Sequence, residues 1–376
     1  MWFLLLLRLC ISLLLGYIIA RRGLKRGSLS SSGATSAFIV GSVILFTNLA
    51  LGLSLIVFYI SGSALTRYKE NFKMTIDLDA KKGGGQRTMN QVLCTAGIPT
   101  LACLGLLVSP VITSPPSDIS LCPSYKEELG LKNILLGLFL GSLSCVAGDT
   151  FASELGILSS TEPVLITTSE RVPRGTSGGV TVYGFLVSAL GGLLVGFIMA
   201  LDVIGIRWNL LWLNILMCEN ETLLYSFFFY PFLGACMGLL GSIIDSILGA
   251  TLQRTWFDTK IGKVTAEFPK DGIESMEPYA PELLDTLKER DALRAELKSL
   301  REAQREKERQ ELTNGLRQRK VVVETQEEIE DDNETNTRTL VTIGGLAILS
   351  NEQVNLVSAL FSALVSATIF YRLFSK

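Results

Sequence analysis

The sequence predicts an all-α fold: a polytopic membrane helix bundle of about eight spans, carrying a charged cytosolic insert that is helical or disordered. Three observations predict it. Mean hydropathy is +0.39 with 48% apolar residues, and these gather in long uncharged runs near the ~20 residues that cross a bilayer. Cations cluster in alternate loops, as the positive-inside rule requires of a chain threaded back and forth. Between residues 254 and 339 the composition changes to dense Glu, Lys and Arg, which belongs in water. The chain therefore divides into a membrane domain over 1–253, a charged segment over 254–339, and a stretch over 340–376 whose span completes the membrane domain.

The first run, 2–20, is interrupted only by Arg8 and is followed directly by Arg21, Arg22, Lys25 and Arg26. It lacks the A-x-A cleavage pattern of a signal peptide and reads as a retained span. The next apolar run, 34–65, covers about 32 positions, too long for one simple span and short for two. The loops on both sides of it are basic, so both belong on the cytosolic side. That requires a hairpin of two spans, 34–48 and 50–65, turning near Thr47-Asn48. Further spans fall at 91–112, 131–147, 181–201 and 223–249, with a last run over 341–371. The loops at 148–180 and 250–340 then lie inside, and those at 113–130 and 202–222 lie outside. Cys122 and Cys218 fall in the two outer loops, where a disulfide between them is left open.

Three spans carry small residues along one face: Gly137, Gly141, Cys145, Gly148 in one; Ser188, Gly192, Gly196 in another; Gly234, Gly238, Gly241, Gly249 in a third. This spacing lets backbones approach where lipid supplies no hydrophobic drive, and predicts a tight central bundle. In the charged segment Leu293, Leu297 and Leu300 make fewer than two heptads, so a solvated helix is expected there rather than a coiled coil.

The chain has no histidine, which excludes histidine bases and histidine metal sites. Of its seven cysteines none forms a CxxC pair. Acid–base or metal chemistry is left to carboxylates, cysteine and lysine.

Five motifs carry candidate chemistry. GDTFASELG (148–156) holds Asp149 and Glu154, which on an unbroken helix point about 140° apart. They converge on one cation such as Mg²⁺ only if a turn breaks the helix near Asp149, with Gly148 permitting the break and Thr150 as N-cap. The alternative is a helix cap and a boundary charge. PRGTSGGVT (173–181) is a Gly-rich loop leading into a span. Arg174 and the backbone of Gly175, Thr176, Ser177, Gly178 and Gly179 suit a phosphate, although an ordinary Gly-rich turn has the same composition. KKGGGQRTMNQ (81–91) offers Gln86 and Arg87 in a second such loop. Asp245 lies within an apolar run, where an acid is a functional candidate. Asn351 and Asn355 share a helix face at the last span, as ligands or as interhelical hydrogen bonders. One topology places all five motifs on the inner face.

Taken in order, GSLSSSGATSAFIVG (27–41), SGSALTRYKENFK (61–73), GGQRTMNQVLCTAG (84–97), GDTFASELGIL (148–158), VPRGTSGGVTVYG (172–184), GSIIDSILGATLQ (241–253) and LSNEQVNLVSAL (349–360) resemble the transmembrane protein 19 family. That family is filed as a domain of unknown function and includes a plant phytyl-phosphate kinase. The motif layout is also similar to that of polyprenol and dolichol kinases. The resemblance implies phosphoryl transfer from a nucleoside triphosphate, CTP or ATP, to a prenyl or phytyl monophosphate lipid. It implies Asp149 and Glu154 as Mg²⁺ ligands and Asp245 as a further catalytic acid. Arg174 with Thr176–Gly179 would hold phosphates, Gln86 and Arg87 would form a second clamp, and Asn351 and Asn355 would line the substrate. The Gly-striped spans would enclose the prenyl chain. The expected partners are the lipid substrate and the membrane, in the endoplasmic reticulum or another intracellular compartment, with no nucleic acid. Two rival classes stand beside it. A transporter of an anionic solute would show inverted repeats, which the sequence lacks, and a non-catalytic scaffold leaves both Gly–Arg loops idle.

Overall fold

The structure, a computed structural model, describes residues 2–79, 85–108, 130–203, 220–259, 261–266, 273–278 and 338–374, with isolated positions between 292 and 303. Cys122, Cys218, Lys81, Lys82 and most of the charged segment lie outside the described residues. Nine helices are described: α1 (Trp2–Lys25), α2 (Ser31–Thr47), α3 (Leu49–Arg67), the short α4 (Glu70–Ile76), α5 (Met89–Val108), α6 (Gly130–Gly156), α7 (Val182–Val203), α8 (Asn220–Leu252) and α9 (Asn351–Phe374). Six of them, α3 and α5 to α9, are long and apolar enough to cross a membrane, and α2 is a shorter apolar helix. The molecule is a polytopic helical bundle.

The 34–65 run divides at a single residue. Asn48 is extended (φ −157°, ψ 141°) and serves both neighbouring helices. Its N–H donates to the Ile44 carbonyl at 3.1 Å, closing α2. Its Oδ1 accepts from the N–H groups of Ala50 at 2.7 Å and Leu51 at 3.2 Å, opening α3. Asparagine is among the best N-caps because its side-chain oxygen reaches these orphan donors. The turn is buried, with Thr47 fully covered. Arg8 of α1 donates to the Thr47 carbonyl, and its guanidinium stacks 5.5 Å from the Phe46 ring. This accounts for the one charge in the first apolar run: it satisfies a backbone acceptor in an apolar surrounding.

The centre of the bundle is α6, flanked by α7, α8 and α9. Leu136, Phe139, Leu140 and Leu143 of α6 are wholly buried. The glycine stripes face neighbouring backbone. A Cβ on Gly238 of α8 would lie 2.6 Å from the Ser188 carbonyl oxygen and 2.9 Å from Gly192 Cα on α7. One on Gly148 of α6 would lie 2.6 Å from the Gly238 carbonyl oxygen, and one on Gly137 would lie 2.5 Å from Ala367 Cα on α9. The stripes are thus filled by helix contact. This corrects the expectation that they enclose a prenyl chain, because no space is left along them.

The charged segment opens and closes on strands, which the sequence reading did not anticipate. β3 (Thr255–Asp258), β4 (Lys263–Thr265), β5 (Ile273–Pro278) and β6 (Arg338–Gly344) form a four-stranded sheet in the order β4-β3-β6-β5, with β5 and β6 parallel. A two-residue ribbon, β1 (Val164–Leu165) with β2 (Gly179–Val180), lies in the loop before α7. The apolar run taken to begin the last span therefore splits: Leu340, Val341 and Ile343 are buried in β6, and the helix starts only at Asn351. A short run rich in Val, Ile and Thr favours the strand. Leu165, Val172, Phe257, Val264 and Ile343 make a second small core with Ala250 at the end of α8.

The packing and the shared cap set the outcome of three substitutions. Gly238→Ala forces backbone against backbone and lowers the thermal midpoint of the solubilised protein by the equivalent of ~1–3 kcal/mol. Gly97→Ala on α5, where a Cβ meets nothing within 4 Å, leaves the midpoint unchanged or raises it. Asn48→Ala removes the shared cap and costs about 1–2 kcal/mol, measured in the same melts.

Candidate functional site

At one end of the bundle α3, α6 and α8 finish while α2, α5, α7 and α9 begin. A cavity of about 840 Å³ opens there. All five sequence motifs reach it: Gln86 and Arg87, Asp149 and Glu154, Arg174 to Gly179, Asp245, and Asn351 with Asn355. Residues separated by up to about 270 positions thus share one wall, which follows from helices alternating in direction so that every second connection returns to the same end.

The two acids that meet are Asp149 and Asp245. Both line the cavity, Asp149 from α6 and Asp245 from α8, near enough for each to act on the other electrostatically. The Asp245 Oδ1 also accepts from the Asn355 amide at 2.8 Å, with that amide turned nitrogen-first toward the acid, and from the Ser358 hydroxyl at 3.4 Å. Asn355 is therefore an interhelical positioning group from α9. Asn351 accepts from the Gln253 amide at 3.4 Å, tying α9 to the end of α8.

Glu154 goes elsewhere. Helix α6 runs unbroken through Gly148, Asp149 and Thr150 to Gly156, so the break and the Thr150 cap do not occur. The expected convergence of Asp149 with Glu154 is corrected: five residues of continuous helix hold them on different faces. Glu154 instead accepts from the Lys73 ammonium at 2.5 Å and from the Thr66 hydroxyl at 2.7 Å. Lys73 is buried and also donates to the Leu65 carbonyl at 2.7 Å, at the last turn of α3. One lysine thereby fastens α3, α4 and α6 together beside the cavity. In the sequence Lys73 is one cation of a basic loop, with nothing to mark it as the partner of Glu154.

The Gly-rich loop also differs from expectation. The N–H groups of Thr176, Ser177 and Gly179 donate to the Pro173 carbonyl, the Thr255 hydroxyl and the Thr176 carbonyl. These three are committed within the protein, so the loop does not offer its whole backbone row to a phosphate. The glycines have steric reasons. Gly175 and Gly178 adopt φ of +86° and +78°, and a Cβ at Gly178 would meet the Ser246 carbonyl oxygen at 2.6 Å on α8. The start of α7 is capped by Thr181, which accepts from the Gly184 N–H at 3.0 Å. What the loop offers the cavity is the Arg174 side chain, which donates to the Ser160 carbonyl at 3.3 Å.

Arg87 has the clearest anion-binding character. Its backbone is pinned to the α1–α2 connection, Arg87 N–H to the Ser28 carbonyl and Ser30 N–H to the Arg87 carbonyl, both at 3.1 Å. The guanidinium lies half-buried, 5.9 Å from the Tyr59 ring, and makes no ion pair among the described residues. Burial pulls its proton affinity down, against the opposing pull of Tyr59 and the Glu154 carboxylate, yet arginine stays charged. A half-buried cation without a paired acid is costly until an anion arrives.

A divalent cation fits the Asp149–Asp245 pair chemically. Two neighbouring carboxylates repel unless a proton or cation lies with them. Among the described residues no group of three or more His, Cys, Asp or Glu is placed to hold a metal ion, so an ion at this pair would take its other ligands from phosphate oxygens and water.

The comparisons agree with the architecture. A family model described as Integral membrane protein DUF92 matches residues 14–363. Protein PGR of Arabidopsis thaliana is 35% identical over 260 residues, covering 69% of this chain and 84% of the relative. The Uncharacterized membrane protein MJ0933 of Methanocaldococcus jannaschii is 28% identical over 250 residues, 66% of this chain and 85% of that one. No solved structure matches the chain at a significant level. The family expected from the seven motifs is the one found, and the chain belongs to the integral membrane protein DUF92 family.

Proposed function

We propose that the protein is an integral membrane kinase that transfers a phosphoryl group from a nucleoside triphosphate to an isoprenoid monophosphate. One observation carries this reading: two carboxyl groups on neighbouring helices, Asp149 and Asp245, and two arginine side chains line one cavity at the end of a membrane bundle. That set complements a phosphate ligand bearing a hard cation.

An oxygen of the acceptor monophosphate forms the new bond to the γ-phosphorus as the bond to the nucleoside diphosphate breaks, leaving an isoprenoid diphosphate. A phosphate monoester loses its second proton near pH ~6 and is largely dianionic at neutral pH, so the reaction needs no general base. A histidine-free site is compatible with this. Asp149 and Asp245 would hold Mg²⁺, which supplies charge neutralisation for the phosphates when bound. Asn355 and Ser358 hold the Asp245 carboxylate in place. Arg87 binds and orients phosphate oxygens, with Arg174 as the second cation. Glu154 acts through Lys73, keeping α3 and α4 fixed against α6.

The test incubates purified protein with radiolabelled CTP or ATP and prenyl or phytyl monophosphate. Magnesium-dependent diphosphate is expected, reduced about a hundredfold by Asp149→Asn; absence of diphosphate from the unaltered protein overturns the reading. In the same assay Asp245→Asn raises the magnesium concentration giving half-maximal rate. Glu154→Gln lowers the thermal midpoint and does not move that magnesium concentration; a shift as large as that of Asp245→Asn would return Glu154 to the metal.

A further inference from the structure

The cavity has a second part that the phosphate chemistry does not use. From Arg87 and Tyr59 it continues among apolar side chains of α1, α2 and α3, past Ile19, Val40, Leu55 and Ile56, down to Leu45 and Gly52. Leu45 lies fourteen residues along α2 from Ser31, and Gly52 lies fourteen residues back along α3 from Thr66. At about 1.5 Å per residue both are roughly 21 Å from the polar end. The two helices agree on the depth, and it is more than half of the ~30 Å hydrocarbon core.

The far end is closed. A Cβ on Gly52 would stand 2.6 Å from Leu45 Cγ and 2.9 Å from its Cα, so α2 and α3 touch there, and Leu45 is 2% exposed. Midway the opposite holds: Gly41 lines the cavity, and a Cβ there would meet nothing within 4 Å. This sets Gly41 apart from the stripe glycines of α6, α7 and α8, which press on neighbouring backbone. Protein interiors are close-packed, and an apolar void of this length is a loss of contact that an apolar ligand would recover.

We propose that this arm binds the isoprenoid tail of the acceptor and measures its length, with Gly41 as the open wall and Leu45 on Gly52 as the floor. The proposal rests on the kinase reading for the identity of the head group, which sits at Arg87 where the arm meets the polar end. It places the chain between α2 and α3, away from the Gly-striped helices. A bulky side chain at 41 shortens the arm, and a small one at 45 deepens it.

The experiment measures protection of the full-length detergent-solubilised protein against thermal unfolding by dimethylallyl, farnesyl and geranylgeranyl monophosphates, alongside phosphoryl transfer to each. The unaltered protein is expected to be protected at lower concentration as the chain lengthens. Gly41→Phe, and more mildly Gly41→Leu, raise the protecting concentration of geranylgeranyl phosphate at least tenfold relative to that of dimethylallyl phosphate. Leu45→Ala moves the preference toward a longer probe added to the series, geranylfarnesyl monophosphate. Gly97→Phe, on α5 outside the cavity, controls for added bulk and leaves the chain-length profile as it was. The proposal is overturned if Gly41→Phe keeps the original profile, or if no isoprenoid monophosphate protects the unaltered protein. Should Gly41→Phe not fold, the Leu45→Ala shift decides. Gly41-dependent protection without phosphoryl transfer to any acceptor would defeat the kinase reading and leave the tail site standing.

Discussion

The close approach of α6 to α8 is the constraint on which the rest depends. At this crossing a methyl group on Gly148 would strike the Gly238 backbone, and one on Gly238 would strike Ser188 and Gly192 of α7. The acid beside Gly148 on α6 and the acid two turns beyond Gly238 on α8 can meet only because these helices touch. Larger residues at the crossing would hold the axes at the ordinary 8–10 Å separation and draw the carboxyl groups apart. The glycines are therefore part of the site's construction, although none of them contacts a ligand in the proposed chemistry.

Around that crossing the remaining charges are spent on holding elements together. Lys73 is used on Glu154 and two backbone carbonyls, and Arg8 on the Thr47 carbonyl. Buried cations of this kind are tolerated because each has acceptors in place. Arg87 is the contrast: its backbone is fixed on both sides while its guanidinium makes no ion pair among the described residues. Rigid placement of a cation not locked in an ion pair is what preorganised anion binding requires.

Much of this was legible in the sequence. The helical bundle, the hairpin at Asn48, the close-packed glycine faces and the gathering of five motifs at one end follow from hydropathy period, loop charge and small-residue spacing. Three things were not. The partner of Asp149 lay on another helix, and one-dimensional spacing favours the acid five residues away over one ninety-six away. Three of the donors expected of residues 176–179 are taken up by Pro173, Thr255 and Thr176, because composition does not reveal which N–H groups are already bonded. The strands at 255–258 and 338–344 are separated by a long charged stretch, so neither run alone signals a sheet.

That sheet bears on the site as well. Thr255 and Val264 line the cavity, and the small core beneath them joins β3, β4 and β6 to Ala250, five residues beyond Asp245. The two ends of the charged segment are thus sewn to the helix that carries one of the paired acids. Gly345 adds to the seam: its φ of +74° and its contact with the Gln253 carbonyl leave no room for a side chain. Any movement that pulls residues 255–258 and 338–344 apart would strain the end of α8 and the Gln253–Asn351 contact with it. The insert is therefore anchored where it can bias the geometry of the acid pair.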